Sequence, residues 1–130
     1  LKKGSYEPHY SLGLLYIKKD RFKEALDEYD MALRLGARDY IFYNELAFLY
    51  IKNSRFKEAE GALLHSMELN SSQSEVYNNL GNLYSMLGYF DAAIRQYRRA
   101  LVLDPDSLGI RDNIRRLKAE WKRAFKRNGS

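Results

Sequence analysis

Few side chains in this sequence have the chemistry of a catalytic or metal site. The 130 residues include two histidines and no cysteine, which excludes disulfides, thiol catalysis and cysteine-ligated metals. His9 and His65 are far apart in the sequence, and no zinc-protease motif, nucleophile elbow, phosphate-binding loop or calcium-binding loop accompanies them. The scattered carboxylates fit a solvated surface with weak ion pairs. We therefore predict no catalytic residue, no metal ion, no cofactor and no enzyme activity.

The elements that would position any other kind of site are helices. From Ser74 to Ser107 the apolar residues recur every three or four positions, so they share one face on each of two amphipathic helices. Gly88 is expected to end the first helix, because glycine tolerates the left-handed conformation that ends helices. Pro105 cannot continue the second helix, and Ser74 is expected to be the N-cap of the first.

Small residues predict how these two helices pack. Gly81 lies in the middle of the first helix, where glycine costs about 1 kcal/mol relative to alanine. That cost indicates that another helix comes very close at this point. Ala93 and Ala100 on the second helix leave the same kind of room. The two helices are therefore expected to form a tight antiparallel hairpin.

The helix pair recurs three times without a gap, at a period of 34 residues. Its Leu-Gly-x-x-Tyr core stands at Leu12, Gly13 and Tyr16, at Leu46, Ala47 and Tyr50, and at Leu80, Gly81 and Tyr84. This period and core, with an alanine and a following aromatic residue in the second helix, resemble the tetratricopeptide repeat. The resemblance covers nearly all of the chain. It implies an all-α fold, a right-handed α-solenoid of three helix-turn-helix repeats at residues 6–39, 40–73 and 74–107.

A last helix, residues 108–127, resembles the capping helix that often follows the final repeat. Its apolar stripe at helical spacing consists of Ile110, Ile114, Leu117, Trp121 and Phe125. We expect the chain, residues 1–130, to form one domain, with a short lead from Leu1 to Ser5. The helices are expected near residues 6–19, 22–35, 40–53, 56–69, 74–87, 90–103 and 108–127.

The resemblance also implies a binding site, because ligand contacts in this family come from non-core positions of each repeat's first helix. At those positions the chain has an apolar set: Tyr10, Leu14, Ile17, Phe48 and Ile51. It also has an amide set, Asn44, Asn78, Asn79 and Asn82, which Asn113 of the last helix extends. An asparagine amide offers one acceptor and two donors, so it can pair with an extended peptide backbone of any sequence. The alternative is that these asparagines only cap or hydrate the face.

The function implied is a non-catalytic protein–protein interaction module that binds a partner peptide or helix in a concave groove. The partner stays unidentified. We do not expect the carboxylate clamp of chaperone-binding relatives: only Asn79 lies at a matching position, while Tyr10, Leu14 and Glu75 occupy places that would need Lys, Asn and Lys. The chain begins with leucine, which suggests a piece of a longer protein. The alternative function is self-association, as a homo-oligomer, or docking within that protein, through the uncovered N-terminal face or through Trp121 and Phe125.

Charge is concentrated in the last helix. The net charge is +5, and residues 108–130 hold eight Lys/Arg against two Asp/Glu. These cations surround the polar perimeter of the helix and form no single stripe, which favours a solvated cap or a protein contact over a nucleic-acid or lipid site. No stretch approaches the roughly 18 apolar residues of a membrane span. We expect a cytoplasmic location.

Overall fold

The computed structural model describes residues 4–129. Most of the lead therefore lies outside the described residues, which begin at Gly4. Within this range the chain forms seven α-helices and no strand. They are α1 (Glu7–Lys18), α2 (Phe22–Arg34), α3 (Tyr40–Lys52), α4 (Phe56–Leu69), α5 (Ser74–Met86), α6 (Phe90–Leu103) and α7 (Leu108–Gly129). The predicted helices are confirmed, with ends that differ by one or two residues.

The chain divides into two compact units, which we describe separately. Unit 1 is Leu1–Asn70 and contains α1 to α4, and unit 2 is Ser71–Ser130 and contains α5 to α7. Each unit contains complete helix hairpins of the predicted kind, α1–α2 and α3–α4 in unit 1 and α5–α6 in unit 2. The single domain over residues 1–130 stays a prediction.

The core of unit 1 is aromatic. Tyr29 of α2 is fully buried and stacks on Phe42 of α3, with ring centroids 5.2 Å apart. Leu49 of α3 and Leu63 of α4 are also fully buried. In the turn before α3, Asp39 caps the helix by accepting a hydrogen bond of 2.8 Å from the amide of Phe42.

The core of unit 2 combines one hairpin with the last helix. Leu80 and Leu83 of α5 are fully buried, and α5 packs against α6. From α7, Ile110 and Leu117 are 5% and 1% exposed, so this helix covers the hairpin as the predicted cap should. Farther along α7, Trp121 stacks on Phe90, the first residue of α6, with ring centroids 5.8 Å apart.

The ends of the first helices repeat the same turn. Gly88 has φ +81° after α5, as predicted. Asp20 and Ser54, which stand at the same repeat position after α1 and α3, have φ values of 58° and 59°. One expectation about helix ends is wrong: Gln73 has the extended N-cap conformation, and Ser74 is already the first helical residue of α5.

The predicted close approach at Gly81 is present. A Cβ added there would lie 2.5 Å from Cδ1 of Tyr97, and a Cβ at Gly13 would lie 2.5 Å from Cδ1 of Tyr29. Atoms cannot approach this closely. The packing of the α1–α2 and α5–α6 hairpins therefore depends on glycine, which has no Cβ, at these two positions. Ala93 and Ala100 are fully buried on the facing helix, as expected.

We predict that Gly81→Ala lowers the free energy of unfolding by about 1 kcal/mol, measured by urea denaturation. Overpacking a core costs roughly 1–3 kcal/mol, which outweighs the helix-propensity gain of about 1 kcal/mol. Gly61→Ala is the matched control, because Gly61 lies in α4 with nothing within 4 Å of an added Cβ. It should stabilise the chain by about 0.5–1 kcal/mol. Equal effects of the two substitutions would contradict the close approach.

Candidate functional site

The first helices of unit 1, α1 and α3, lie side by side and run in the same direction. Near their beginnings, the hydroxyl of Tyr10 donates a hydrogen bond of 2.6 Å to Glu45. Near their ends, the side-chain amide of Asn53 donates to the carbonyl of Phe22 at 3.1 Å. Since Asn53 follows α3 and Phe22 comes shortly after α1, both ends of the two helices are in register.

The Tyr10–Glu45 pair places a carboxylate on this face. The Tyr10 ring packs edge-on against Tyr29 and Phe42, with centroids 5.5 and 5.9 Å away. Burial, and then the hydrogen bond and charge of Glu45, raise the pKa of Tyr10 above its usual value. Burial and the same carboxylate raise the pKa of Tyr29. Both phenols therefore stay neutral in the physiological range.

An apolar patch lies farther along the same two helices. Phe48 of α3 is 41% exposed, and its ring meets Phe22 edge-on with centroids 5.6 Å apart. The ammonium group of Lys52 lies 5.4 Å from the centroid of Phe22 and 5.5 Å from that of Phe48. We call these three residues the Phe48 patch. The other apolar candidates are half-buried: Tyr10, Leu14, Ile17 and Ile51.

Asn44 differs from the other amide candidates. It is only 5% exposed, because α3 is buried over much of its circumference, including Phe42, Tyr43 and Leu46. A groove residue was expected to be open to solvent, but the amide of Asn44 is not. The sequence periodicity could not reveal this, because α3 has apolar residues on nearly every side.

In unit 2 three of the four candidate asparagines of α5 and α7 form hydrogen bonds with other side chains. Asn113 donates a hydrogen bond of 2.9 Å to the side-chain oxygen of Asn78, and Arg116 donates to the side-chain oxygen of Asn113. The side-chain oxygen of Asn82 accepts a bond of 2.5 Å from the hydroxyl of Tyr97. The side chain of Asn79 forms no hydrogen bond within residues 4–129 and is half-buried.

The two units use the same repeat positions for these contacts. Tyr10 and Glu45 are separated by 35 positions, and so are Asn78 and Asn113. Two periods of 34 residues carry the first pair onto the second. In each unit a side-chain hydrogen bond thus joins two helices that are one period apart. It joins α1 to α3 in unit 1 and α5 to α7 in unit 2. The bond between Tyr10 and Glu45 was not predicted, and only this spacing of one period plus one residue could have indicated it.

The histidines have ordinary structural contacts. Nδ1 of His9 lies 2.9 Å from a carboxylate oxygen of Glu28, and the ring of His65 packs on Tyr43 with centroids 4.3 Å apart. Among residues 4–129, no three acidic or histidine side chains come together as metal ligands would. None of the described helices has the length and apolarity that crossing a membrane requires.

Because Asn82 accepts a hydrogen bond from Tyr97, substituting it should affect stability as well as any ligand contact. We predict that Asn82→Ala lowers the free energy of unfolding by roughly 1–2 kcal/mol, because the largely buried hydroxyl of Tyr97 loses its acceptor. Burial raises the pKa of Tyr97 to about 12, because its hydroxyl is shielded from solvent. Asn79→Ala is the control and should change stability by less than about 0.5 kcal/mol.

The measurement is urea denaturation of Asn82→Ala, Tyr97→Phe and the double variant. In the double variant no hydroxyl is left without a partner, so the two effects should not add. Additive losses would show that the Asn82–Tyr97 bond contributes nothing to stability.

The family of the chain follows from its repeats. Family models described as tetratricopeptide repeat match residues 6–35 and residues 74–107. These matches fall on the α1–α2 and α5–α6 hairpins. The chain is a tetratricopeptide repeat protein, and domains of this family are in general non-catalytic interaction modules. A search of curated proteins finds no match.

Solved structures with the same fold are tetratricopeptide domains. The first such domain of Spaghetti (RPAP3), bound to the HSP90 peptide SRMEEVD, has a TM-score of 0.81 and 21% identity, covering 92% of this chain and 95% of that one. The second domain of human RPAP3, in complex with the HSP70 peptide SGPTIEEVD, has a TM-score of 0.76 and 19% identity, covering 85% and 92%. YrrB, described as having an unusual peptide-binding site, has a TM-score of 0.80 and 26% identity, covering 90% of this chain and 60% of that one. The predicted all-α tetratricopeptide-repeat fold is confirmed.

Proposed function

We propose that the chain is a non-catalytic interaction module that binds an extended peptide or a helix of a protein partner through the first helices of its repeats. The observation that carries the proposal is the exposure of Phe48 beside Phe22 and Lys52. A phenylalanine that is 41% exposed leaves enough apolar area for about 2 kcal/mol of binding free energy on full burial. Lys52 next to the rings would favour an acidic group beside the inserted side chain.

The amide of Asn79 supports the backbone part of the proposal. It lies on a first helix, α5, and none of its hydrogen-bonding groups is used within residues 4–129. An amide in this state can accept from one peptide N–H and donate to one carbonyl. Asn78, Asn82 and Asn113 retain donors beyond the bonds described above, and they extend the proposed peptide contact within unit 2.

The similar structures add support of a general kind. Two of them are domains described with bound peptides, and a third is described by its peptide-binding site. We transfer to this chain the binding of a peptide, and not the identity of those peptides. The reason is the carboxylate of Glu45, which lies on the first-helix face of unit 1 and would repel an acidic chain end.

Phe48→Ala should weaken binding of a peptide selected from a displayed random library by about tenfold to thirtyfold, measured by calorimetric titration. The reason is the loss of about 2 kcal/mol of apolar burial. Leu64→Ala is the matched control, because Leu64 is also 41% exposed but lies on the second helix α4. Its affinity should equal that of the unaltered chain. If both variants bind with unaltered affinity, the first-helix face is not the binding site.

The chaperone tails themselves provide a second test. We expect the peptides SRMEEVD and SGPTIEEVD to bind no more tightly than about 1 mM, because Tyr10, Leu14 and Glu75 stand where a clamp would need Lys, Asn and Lys. The RPAP3 domains described with these peptides serve as positive controls. A dissociation constant in the micromolar range for this chain would contradict the absence of a clamp.

A second candidate is self-association or docking within a longer protein. It is favoured by the exposure of Phe125, which is 71% exposed at the far end of α7. Light scattering distinguishes the two functions, since a monomer fits peptide binding and a dimer fits self-association. The remaining parts of the proposal are that the chain acts as one domain, has no enzyme activity or cofactor, does not bind nucleic acid and works in the cytoplasm.

A further inference from the structure

An open depression lies on unit 2, where α6 ends. It has a volume of about 240 Å³ and is lined by Ser71, Tyr77, Arg99, Val102 and Leu103. The hydroxyl of Tyr77 donates a hydrogen bond of 3.0 Å to the carbonyl of Ser71, which ties α5 to the turn before it. The guanidinium group of Arg99 lies over the Tyr77 ring, 6.0 Å from its centroid. Contacts within unit 2 therefore hold the lining of the depression in place.

The depression presents apolar side chains to solvent. Val102 is 79% exposed and Leu103 is 42% exposed, although Tyr77 beside them is buried. The first and second repeats have Arg34 and Glu68 at the position of Val102. The repeat fold therefore does not require an apolar residue at this position. A side chain that entered the depression would cover the exposed valine and leucine, which is favourable in water.

Two arginines adjoin the exposed valine. Arg98 and Arg99 precede Val102 by four and three residues, and side chains at these spacings are neighbours on a helix surface. Both arginines are exposed. Of the described residues that line the depression, Arg99 alone is charged. Within residues 4–129 neither arginine forms an ion pair with a carboxylate. The depression thus combines an apolar lining with positive charge that the described part of the chain does not pair.

The stability of α6 does not explain these arginines. Arg95 precedes Arg99 by four residues, and like charges at this spacing destabilise a helix. The helix dipole favours cations only in the last turn, and the last turn of α6 has no basic residue. The first and second repeats have Asp30 and Leu64 at the position of Arg98, so the repeat fold does not require a cation there. A partner that supplies carboxylates would account for the arginines.

We propose that this surface binds an acidic segment of a protein partner that carries one apolar side chain. We call it the α6 surface and define it by Tyr77, Arg98, Arg99, Val102 and Leu103. The apolar side chain enters the depression, and neighbouring Asp or Glu side chains of the segment pair with the two arginines. Arginine suits this contact because its planar guanidinium can bind a carboxylate through two parallel hydrogen bonds. The α6 surface is separate from the first-helix site and does not depend on it.

The lining favours an acidic peptide segment over a nucleic acid. Single-stranded nucleic acids stack their bases on aromatic side chains, whereas the Tyr77 ring is 8% exposed and lies under Arg99. A phosphate backbone could pair with the arginines, but it would leave Val102 and Leu103 in contact with water. A peptide segment supplies both the carboxylates and the apolar side chain, so it matches the charge and the lining together.

Three synthetic peptides with uncharged ends test the proposal by NMR titration of the isotope-labelled full chain. The probe is GEELEEG, while GKKLKKG reverses its charge and GEEGEEG removes its apolar side chain. We expect GEELEEG to shift the signals of Val102, Leu103 and the Arg99 guanidinium group. Its dissociation constant should be below about 1 mM and should rise with salt concentration. GEEGEEG should bind about tenfold more weakly, because no leucine is buried, and GKKLKKG should cause no shifts.

Matched charge reversals locate the contact. The double variant Arg98→Glu and Arg99→Glu should weaken GEELEEG binding by about tenfold or more, because two attractive contacts become repulsive. The control is the double variant Lys122→Glu and Arg123→Glu on α7, which changes the net charge equally at exposed cations that do not line the depression. It should change the affinity by less than about twofold, because distant surface charges are screened. Phe48→Ala should have no effect, which separates this surface from the first-helix site. Urea unfolding curves confirm that each variant is folded.

Four results would overturn the proposal. The first is that GEELEEG leaves the signals of Val102, Leu103 and Arg99 unchanged. The second is equal weakening by the two charge reversals, which would show attraction by net charge alone. The third is equal binding of GEELEEG and GEEGEEG, which would show that the depression takes no side chain. The fourth is a response of these signals to oligouridylate or to vesicles of anionic phospholipid without a response to GEELEEG, which would make this a nucleic-acid or membrane surface.

Discussion

The close contact between the two helices of each hairpin is the constraint on which the rest of the structure depends. In the first and third repeats a glycine faces the ring of a tyrosine, Gly13 with Tyr29 and Gly81 with Tyr97, and any Cβ would collide with that ring. The middle repeat has alanine and leucine at the equivalent positions, Ala47 and Leu63, both buried. A larger residue on the first helix thus accompanies a smaller one on the second. The volume shared by the pair is preserved, which is what a close-packed interior requires.

The same contact connects the core to the candidate binding face. Because the glycine lets the ring lie against the first helix, the hydroxyl of Tyr97 emerges beside Asn82 and donates to it. In unit 1 the buried ring of Tyr29 supports Tyr10, whose hydroxyl reaches Glu45. A polar residue on the face can therefore be part of the support of the core. Loss of binding after such a substitution must be separated from loss of folding before it is assigned to a ligand contact.

Much of the fold could be predicted from the sequence, and less of the site. The 34-residue period predicts where the helices lie, and a glycine in a helix interior predicts the close approach at Gly81. Both signals can be read from the sequence because they depend only on backbone geometry and on one face of a single helix. The burial of Asn44 depends on how many neighbours surround α3, and periodicity does not contain that information. The left-handed conformation of Ser54 could be inferred only from Gly88 at the same repeat position, since serine itself does not favour it. The hydrogen-bond partner of each polar side chain also depends on the direction in which that side chain points, which the sequence pattern does not give.

Helix α7 shows how one element can be stabilised in two ways along its length. Its first half is held by burial of Ile110 and Leu117 against the hairpin. Beyond Trp121 almost no apolar surface is buried, so packing cannot be what maintains the helix there. The residues in this part are mostly Lys, Arg and Ala, which have high intrinsic helix propensity. Phe125 therefore lies on a segment whose helical form depends on the propensity of its residues and not on packing.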